Sequence, residues 1–482
     1  MEFNFSVMNF IKKTKIVATI GPESSSKEII EKMILSGVNV FRINFSHANY
    51  DEIIENIKTI RSIDKKLELN TAILADLQGP KLRIGKIKDG TVVKPADKIL
   101  FKTDSPFEGN ANKAYMNYKN FPKDVAKGER ILLDDGKLIF KIISTNKINE
   151  VEAEVIQGGA FKSNKGVNLP NTKISLPALT KKDIKDAKFI FTQDIDWIAL
   201  SFVRNSQDII DLKNLMSNHI ERKIPIIAKI EKPEAIENID KIIAYSDGLM
   251  VARGDLGVEI PAQEVPLIQK KLVHLAKKAR IPIIIATQMM ESMIDNLTPT
   301  RAEVNDVANS VMDGADAVML SGETSVGKYP VEVINSMSDI LISVENSDLI
   351  DVPQSPPKIR TKRFITKSIC YHAAHLANDI DAKAICTLTN SGYTGFQISA
   401  WRPKSHVLVF TSNKKILNQL NLLWGVKTFY YNNLKSTDKT VEEINQIALE
   451  KGFVEKEDYV VNLAAMPIKS KGMVNTLRIS TI

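Results

Sequence analysis

Residues 225–231 read PIIAKIE, an apolar, β-branched opening that finishes on Lys229 and Glu231. A buried strand has no reason to end on charge unless that end faces a site. Residues two apart on a strand share one face, so Lys229 and Glu231 are expected side by side. Seven other runs repeat the pattern: 15–21 (KIVATIG), 38–46 (VNVFRINFS), 71–78 (TAILADLQ), 197–203 (WIALSFV), 248–257 (GLMVARGDLG), 282–290 (PIIIATQMM) and 317–324 (AVMLSGET). Their polar ends hold Arg42, Asn44, Asp76, Asp255, Thr287 and Glu323. Functional side chains at the carboxyl ends of several parallel strands indicate an α/β fold of the (β/α)8 TIM barrel type. Helical patterns fill the gaps. Residues 24–36 place Ile29, Ile30, Met33 and Ile34 at helical spacing, and 266–279 are amphipathic. Thr180 with Asp183, and Thr300 with Glu303, read as N-terminal helix caps. Strand, helix, strand in this order predicts parallel pairing with right-handed crossovers.

The alternation breaks once. Residues 80–176 are rich in Gly, Asn and Lys, with short strand-like pieces such as ERILLDDGKLIF (129–140) and NEVEAEVIQGG (149–159). They predict a small all-β domain inserted in a βα loop, at the catalytic end and placed to act as a lid. After VPQSPPK (352–358) the pattern becomes that of a separate doubly wound α/β domain. The expected division is barrel 1–79 and 177–351, lid 80–176, and C-terminal domain 352–482.

A chain of 482 residues exceeds one ordinary core, and 44% hydrophobic with 25% charged residues excludes a disordered polypeptide. Two cysteines, Cys370 and Cys386, rule out a disulfide framework and point to a reducing cytoplasm. A net charge of +8 suits an anionic substrate. No basic run with interleaved aromatics supports nucleic-acid binding, and no stretch is long enough to span a membrane. The opening MEFNFSVMNFIKK places its lysines after the apolar part, unlike a signal peptide, and Met8 offers a second start.

Arg253 and Asp255 are expected to repeat the strand geometry of Lys229 and Glu231. Carboxylates from adjacent strands suit Mg2+, which takes few protein ligands and leaves room for substrate oxygens. A neighbouring lysine suits a phosphoryl group in transfer. Gly254–Gly257 (GDLG) offers backbone N–H groups to an anion. Arg42, Asn44 and Ser46 alternate along the second run against Phe41, Ile43 and Phe45. Arg42 fits phosphate, and Asn44, Ser46 and Asp76 are oxygen ligands for a cation. Two apparent motifs are set aside. GETSVGK (322–328) lacks the hydroxyl residue of a phosphate-binding loop because Tyr329 stands there, and Cys370, His372 and His375 fall in a core-helix pattern.

Taken together, TKIVATIGP, FRINFSHA, LQGPKLRIG, KGVNLPN, AKIEKPEA, MVARGDLGVEI, ATQMMESM and LSGETSVGKYP make the chain resemble the pyruvate kinase family nearly end to end. The resemblance implies transfer of phosphate from phosphoenolpyruvate to ADP. It implies that Lys229 stabilises the phosphoryl group, that Arg42 contacts it, and that Glu231 and Asp255 hold Mg2+ or Mn2+. Gly254, Asp255 and Thr287 match the substrate carboxylate site. Asn44, His47, Arg83 and Lys165 match the nucleotide site. Thr287 and Ser321 match the region that protonates the enolate, with the delivering group left open. Asn44, Ser46, Asp76 and the Leu77 carbonyl match K+ ligands, but Lys81 stands where K+-dependent members carry Glu in TKGPE, so its ammonium is expected to replace the ion. Thr389, Ser391, Gly392 and Thr394, with Lys469, Ser470, Lys471 and Gly472, resemble an effector phosphate loop. A homotetramer is implied as well. Two other readings stand beside this one: a metal-dependent barrel lyase acting on pyruvate-like enolates, and an inactive metabolite sensor.

Overall fold

The computed structural model describes residues 12–482, apart from residues 171, 351, 434 and 468–472. All eight runs become strands of one closed parallel barrel: Lys15–Thr19, Val38–Asn44, Ala72–Asp76, Trp197–Leu200, Ile226–Ile230, Gly248–Ala252, Ile283–Ala286 and Ala317–Leu320. Each strand pairs with its sequence neighbours in the barrel, and the eighth closes on the first. The capping pairs behave as read: Thr180 with Asp183 and Thr300 with Glu303 each form a reciprocal capping box.

Period-two alternation splits every strand between two cores. Inward residues such as Val17, Val40, Leu74, Ala199, Ile227, Met250 and Ile284 fill the barrel interior. Outward residues such as Ile16, Ile43, Ile73, Ile198 and Ile285 pack under the surrounding helices. The interior is therefore a plug of side chains and not a pore. Its lower end is sealed by Trp197, whose indole N–H donates to the Gln419 carbonyl at 3.0 Å, and by Leu422 from the C-terminal domain. Chemistry is left to the upper end, where the strands stop.

Two segments depart from the expected strand. The sixth strand stops at Ala252, and Arg253–Glu259 is a helix, so Arg253 and Asp255 do not share a strand face. Ser46 lies beyond the second strand, in the 3-10 turn Phe45–His47, where its N–H donates to Asn44 Oδ1 at 3.1 Å.

Between the third and fourth barrel strands the chain leaves to build a six-stranded sheet with its own core, including Ile99, Phe101, Phe121, Phe140 and Val155. A separate two-stranded piece pairs Val92–Val93 with Gly159–Ala160. The exit passes through Gly79, at φ +69°; a Cβ there would lie 2.7 Å from the Phe202 ring, so only glycine fits. The C-terminal domain is a five-stranded sheet. Four strands are parallel (Ala384–Leu388, His406–Thr411, Val426–Tyr430, Tyr459–Ala464), and Thr476–Thr481 adds to the edge antiparallel.

Candidate active site

The fifth strand orders the site. Ile227 belongs to the barrel interior, Lys229 stands above it on the same face, and Glu231 follows at the mouth. The Lys229 ammonium lies 3.2 Å from Asp76 Oδ1 and 3.0 Å from Glu231 Oε1, and donates to Ser201 Oγ at 2.7 Å. Asp76 comes from the end of the third strand, where it also takes Arg42 Nε at 2.7 Å. Arg42 Nη1 donates to Thr19 Oγ1 at 3.1 Å. Side-chain exposure is 10% for Lys229, 2% for Asp76 and 1% for Glu231, so these charges interact with little solvent screening.

Burial acts on each group, and its neighbours decide the outcome. Desolvation lowers the Lys229 pKa, but Asp76 and Glu231 outweigh it, and the amine ends above its ordinary value. Desolvation raises Asp76, and the cations Lys229 and Arg42 overturn this and hold it below the usual carboxylate range. Glu231 stays raised: desolvation and the nearby Asp255 charge exceed the pull of Lys229. One mouth thus combines two cations that favour an anion with a pair of acids that repel each other. That acid pair is where a divalent cation fits. Among the described residues no cluster of three or more His, Cys, Asp or Glu could hold a metal by itself, so such an ion would need oxygens from substrate or water.

Two strands on from Lys229, the seventh strand ends in unusual backbone. Thr287 has φ +70° and Gln288 φ +55°. A β-branched residue in the left-handed region is strained and persists only where its surroundings impose it. Here Thr287 Oγ1 accepts the Gly254 N–H at 2.6 Å and donates to the Ala286 carbonyl at 2.6 Å. Arg253 turns away from the site to brace this bend, reaching the Thr287 carbonyl at 2.8 Å and Asp306 at 2.7 Å.

The remaining expected residues divide. Glu323 does not face the site: it is buried and accepts the N–H groups of Ser321 at 2.7 Å and Met290 at 3.2 Å. Ser321 lies half-buried at the end of the eighth strand. Arg83 and Lys165 sit on adjoining lid segments, joined by the bridge between Arg83 and Gly166. Lys165 pairs with Asp134 at 2.9 Å. His47 lies in the 3-10 turn, and its side chain falls outside the described residues. Three of the oxygens matched to K+ are already committed: Asp76 to two cations, Asn44 Oδ1 to the Ser46 N–H, and the Leu77 carbonyl to the Ser201 hydroxyl at 2.7 Å. Lys81 is exposed and, among the described residues, forms no salt bridge. It lines a narrow cleft between lid and barrel, together with Asp135, Asn168, Phe202, Lys232 and Asp255.

In the C-terminal domain, Thr389 Oγ1 accepts the Gly392 N–H at 3.0 Å, and Ser391 is exposed. Thr394 points inward, its buried hydroxyl bonded to Thr387 at 2.9 Å. Lys469, Ser470, Lys471 and Gly472 lie outside the described residues.

The sequence missed Ser201 and Phe202. Ser201 joins Lys229 to the Leu77 carbonyl. Phe202, at φ +55°, aims its N–H at Glu231 Oε2 at 2.7 Å. A polar residue inside the fourth run was the available signal for Ser201. None announced Phe202.

Family models described as pyruvate kinase barrel domain and pyruvate kinase alpha/beta domain match residues 11–334 and 367–480. The chain belongs to the pyruvate kinase family. It is 41% identical over 472 residues to a pyruvate kinase of Corynebacterium efficiens, covering 97% of each chain. It is 40% identical to one from Geobacillus stearothermophilus, covering 98% of this chain and 80% of that protein. A crystal structure of a pyruvate kinase from Cryptosporidium parvum superposes with a TM-score of 0.91 at 32% identity, over 100% of this chain and 98% of that one. Membership in this family of metal-dependent phosphotransferases makes the chain an enzyme of that class and supports neither the lyase nor the sensor reading.

Proposed function

We propose that the mouth around Lys229 transfers the phosphoryl group of phosphoenolpyruvate to ADP, giving pyruvate and ATP, the last step of glycolysis. The observation that carries this is the Lys229 ammonium held between Asp76 and Glu231, beside Arg42 and next to Asp255. Phosphoryl transfer asks for positioning and charge neutralisation more than for covalent chemistry. Lys229, kept charged by its two carboxylates, and Arg42 neutralise the migrating phosphoryl oxygens. Asp76 fixes both cations and touches no substrate. Gly254, Asp255 and Thr287 hold the three-carbon carboxylate, and the strained bend at Thr287 fixes its hydroxyl against the Gly254 N–H and so sets the relative position of the three. The carbon that gains a proton lies by Thr287 and Ser321. Mg2+ or Mn2+ held by Glu231 and Asp255 would supply further charge neutralisation and stabilise the enolate oxygen.

Asn44 and His47 on the barrel, with Arg83 and Lys165 on the lid, form the nucleotide side. The lid excludes water that would otherwise accept the phosphate. The committed oxygens of Asn44, Asp76 and Leu77 support activity without K+, the cation's place being served by protein charge including Lys81. We place the protein in the cytoplasm as a homotetramer. Two buried cysteines support the reducing compartment, and the exposed Leu267, Leu297 and Val304, on the segments that follow the sixth and seventh strands, support subunit contact. Among the described residues no helix is long and apolar enough to cross a membrane. A phosphorylated effector at Thr389, Ser391 and Gly392 completes the proposal. The test is purified protein with phosphoenolpyruvate, ADP and Mg2+, with pyruvate measured; absence of pyruvate overturns the reading.

A further inference from the structure

We infer that Glu259 is a positioning residue that ties the lid to the catalytic mouth, its carboxylate receiving Lys232 from the barrel and Asn168 from the lid. This rests on the phosphotransfer reading above. Glu259 ends the helix that begins with Arg253, Gly254 and Asp255. Its Oε1 accepts Lys232 Nζ at 2.6 Å and Asn168 Nδ2 at 2.9 Å. Glu259 and Lys232 are both buried. Lys232 directly follows Glu231, and its Nζ lies 5.9 Å from the centre of the Phe202 ring, the residue whose N–H holds Glu231. One carboxylate therefore touches the lid, the residue beside Glu231, and the helix that carries Asp255.

The placement is specific. Among the described residues, Asn168 to Glu259 is the one side-chain hydrogen bond between the lid sheet and the barrel. The other side-chain crossing, Arg204 to the Ile174 carbonyl at 2.6 Å, lies on the segment returning to the barrel. Asn168 sits on the short strand Val167–Asn168, two residues after Gly166, the bridge partner of Arg83, and three after Lys165. Asn168, Lys232 and Asp255 line the same cleft. A buried ion pair is a poor device for raw stability, because desolvation offsets its Coulomb gain, but it fixes an angle well. A single charge-assisted bond is strong enough to bias the lid towards the mouth and weak enough to break when nucleotide leaves. Glu259 thus sets how Arg83 and Lys165 face the phosphoryl site.

The experiment compares Asn168→Ala, Asn168→Asp and Asn168→Gln in the full-length enzyme. It measures KM for ADP at saturating phosphoenolpyruvate, and calorimetric Kd values for ADP and for phosphoenolpyruvate separately. Loss of a hydrogen bond to a charged group is worth roughly a ten-fold change in equilibrium. The expected result is an ADP KM and Kd raised roughly five- to ten-fold in Asn168→Ala. The rise is larger in Asn168→Asp, where carboxylate faces carboxylate, and is largely reversed in Asn168→Gln, which keeps the amide donor. Phosphoenolpyruvate Kd stays within about two-fold. ADP values within about two-fold of native in both Asn168→Ala and Asn168→Asp overturn the inference. So does an equal weakening for both ligands with a lowered melting temperature, which marks an ordinary structural contact. Glu259→Gln, which keeps an acceptor for Asn168 without charge, is the independent variant and should raise ADP Kd by less than Asn168→Ala. Native protein that forms no pyruvate sinks the phosphotransfer reading itself, a separate result, while the ADP Kd comparison still decides the tie.

Discussion

Replacing Lys229 by Met removes the cation between two buried acids, and the structure says which acid suffers. Asp76 keeps Arg42 at 2.7 Å, whereas Glu231 keeps only the Phe202 N–H at 2.7 Å and still faces Asp255. Removing one partner of a buried ion pair costs about 3–5 kcal/mol. That is a large fraction of the 5–15 kcal/mol typical of a folded domain, so the variant is expected to fold with a clearly lowered denaturation midpoint. The pH dependence separates this account from simple loss of packing. The Lys229 pKa is raised by folding, so its stabilisation is fully present below its unfolded value of about 10.4 and is lost as pH climbs through the folded value. The Glu231 pKa is also raised, burial being the first cause, so the folded state holds that proton more tightly than the unfolded chain does, and stability falls as pH rises through this window. Without Lys229 the rise is greater. The stability deficit of Lys229→Met should therefore be largest near pH 8 and narrow towards pH 5, read by chemical denaturation of both proteins. Activity, followed as pyruvate formed, should drop by roughly 10³-fold in kcat, the scale of losing a preorganised charge at the reacting group. A kcat within ten-fold of native refutes the role assigned to Lys229, and a deficit that does not change with pH refutes the counter-ion account.

Thr287→Gly should release left-handed strain of about 1–2 kcal/mol, while leaving the Gly254 N–H without its acceptor costs about the same, so the melting temperature should move little while kcat falls at least roughly 100-fold. Glu231→Gln should weaken divalent-metal activation at least ten-fold, seen in Mg2+ titrations of activity, and chelation should abolish turnover in both proteins. Activity in K+-free buffer should stay within about two-fold on adding K+, and a large rise would contradict the role given to Lys81. Burial lowers Lys12 and Lys277 to about 7 at the seam with the C-terminal domain, despite Glu345 near Lys12 and Asp316 near Lys277. The unfolded chain keeps those protons up to about 10.4, so stability should rise between pH 7 and 9.5, with a shallower slope in Lys277→Met; a falling midpoint would contradict this.

What was legible in the sequence follows from how far apart the causes lie. The eight strands were readable because each carries its own signal: an apolar run decides burial, and its charged end decides direction. Ile227, Lys229 and Glu231 needed nothing more than period two to be placed on one inward face. The misreadings came where backbone changed course within such a run. The segment 248–257 contains both a strand and the first turns of a helix, and nothing local marks Ala252 as the boundary. The helix changes the geometry: it turns Arg253 towards Thr287 and Asp306 and leaves Asp255 near Glu231. Glu323 shows the reverse error, since a charged strand end can serve orphaned backbone N–H groups as well as a substrate.

Contacts assembled from distant segments gave no local signal at all. Asp316, Lys277 and Arg402 meet at the seam from three separate elements. Asn168 and Glu259 lie 91 residues apart, in different domains. Phe202 adopts φ +55° because its N–H must reach Glu231 across the strand ends, a demand set by tertiary structure and invisible in its own sequence. The barrel explains why the chemistry was nonetheless readable. Strand register fixes the height of each inward residue, so Asn44 aligns with Asp76, and Asp76 with Ala199, two residues before Ser201. Side chains at the last inward position of neighbouring strands must then converge at one mouth, whatever the helices between them do. A function written at the strand ends of a closed barrel can be read one strand at a time, whereas the lid that completes it depends on pairings that only the folded chain brings together.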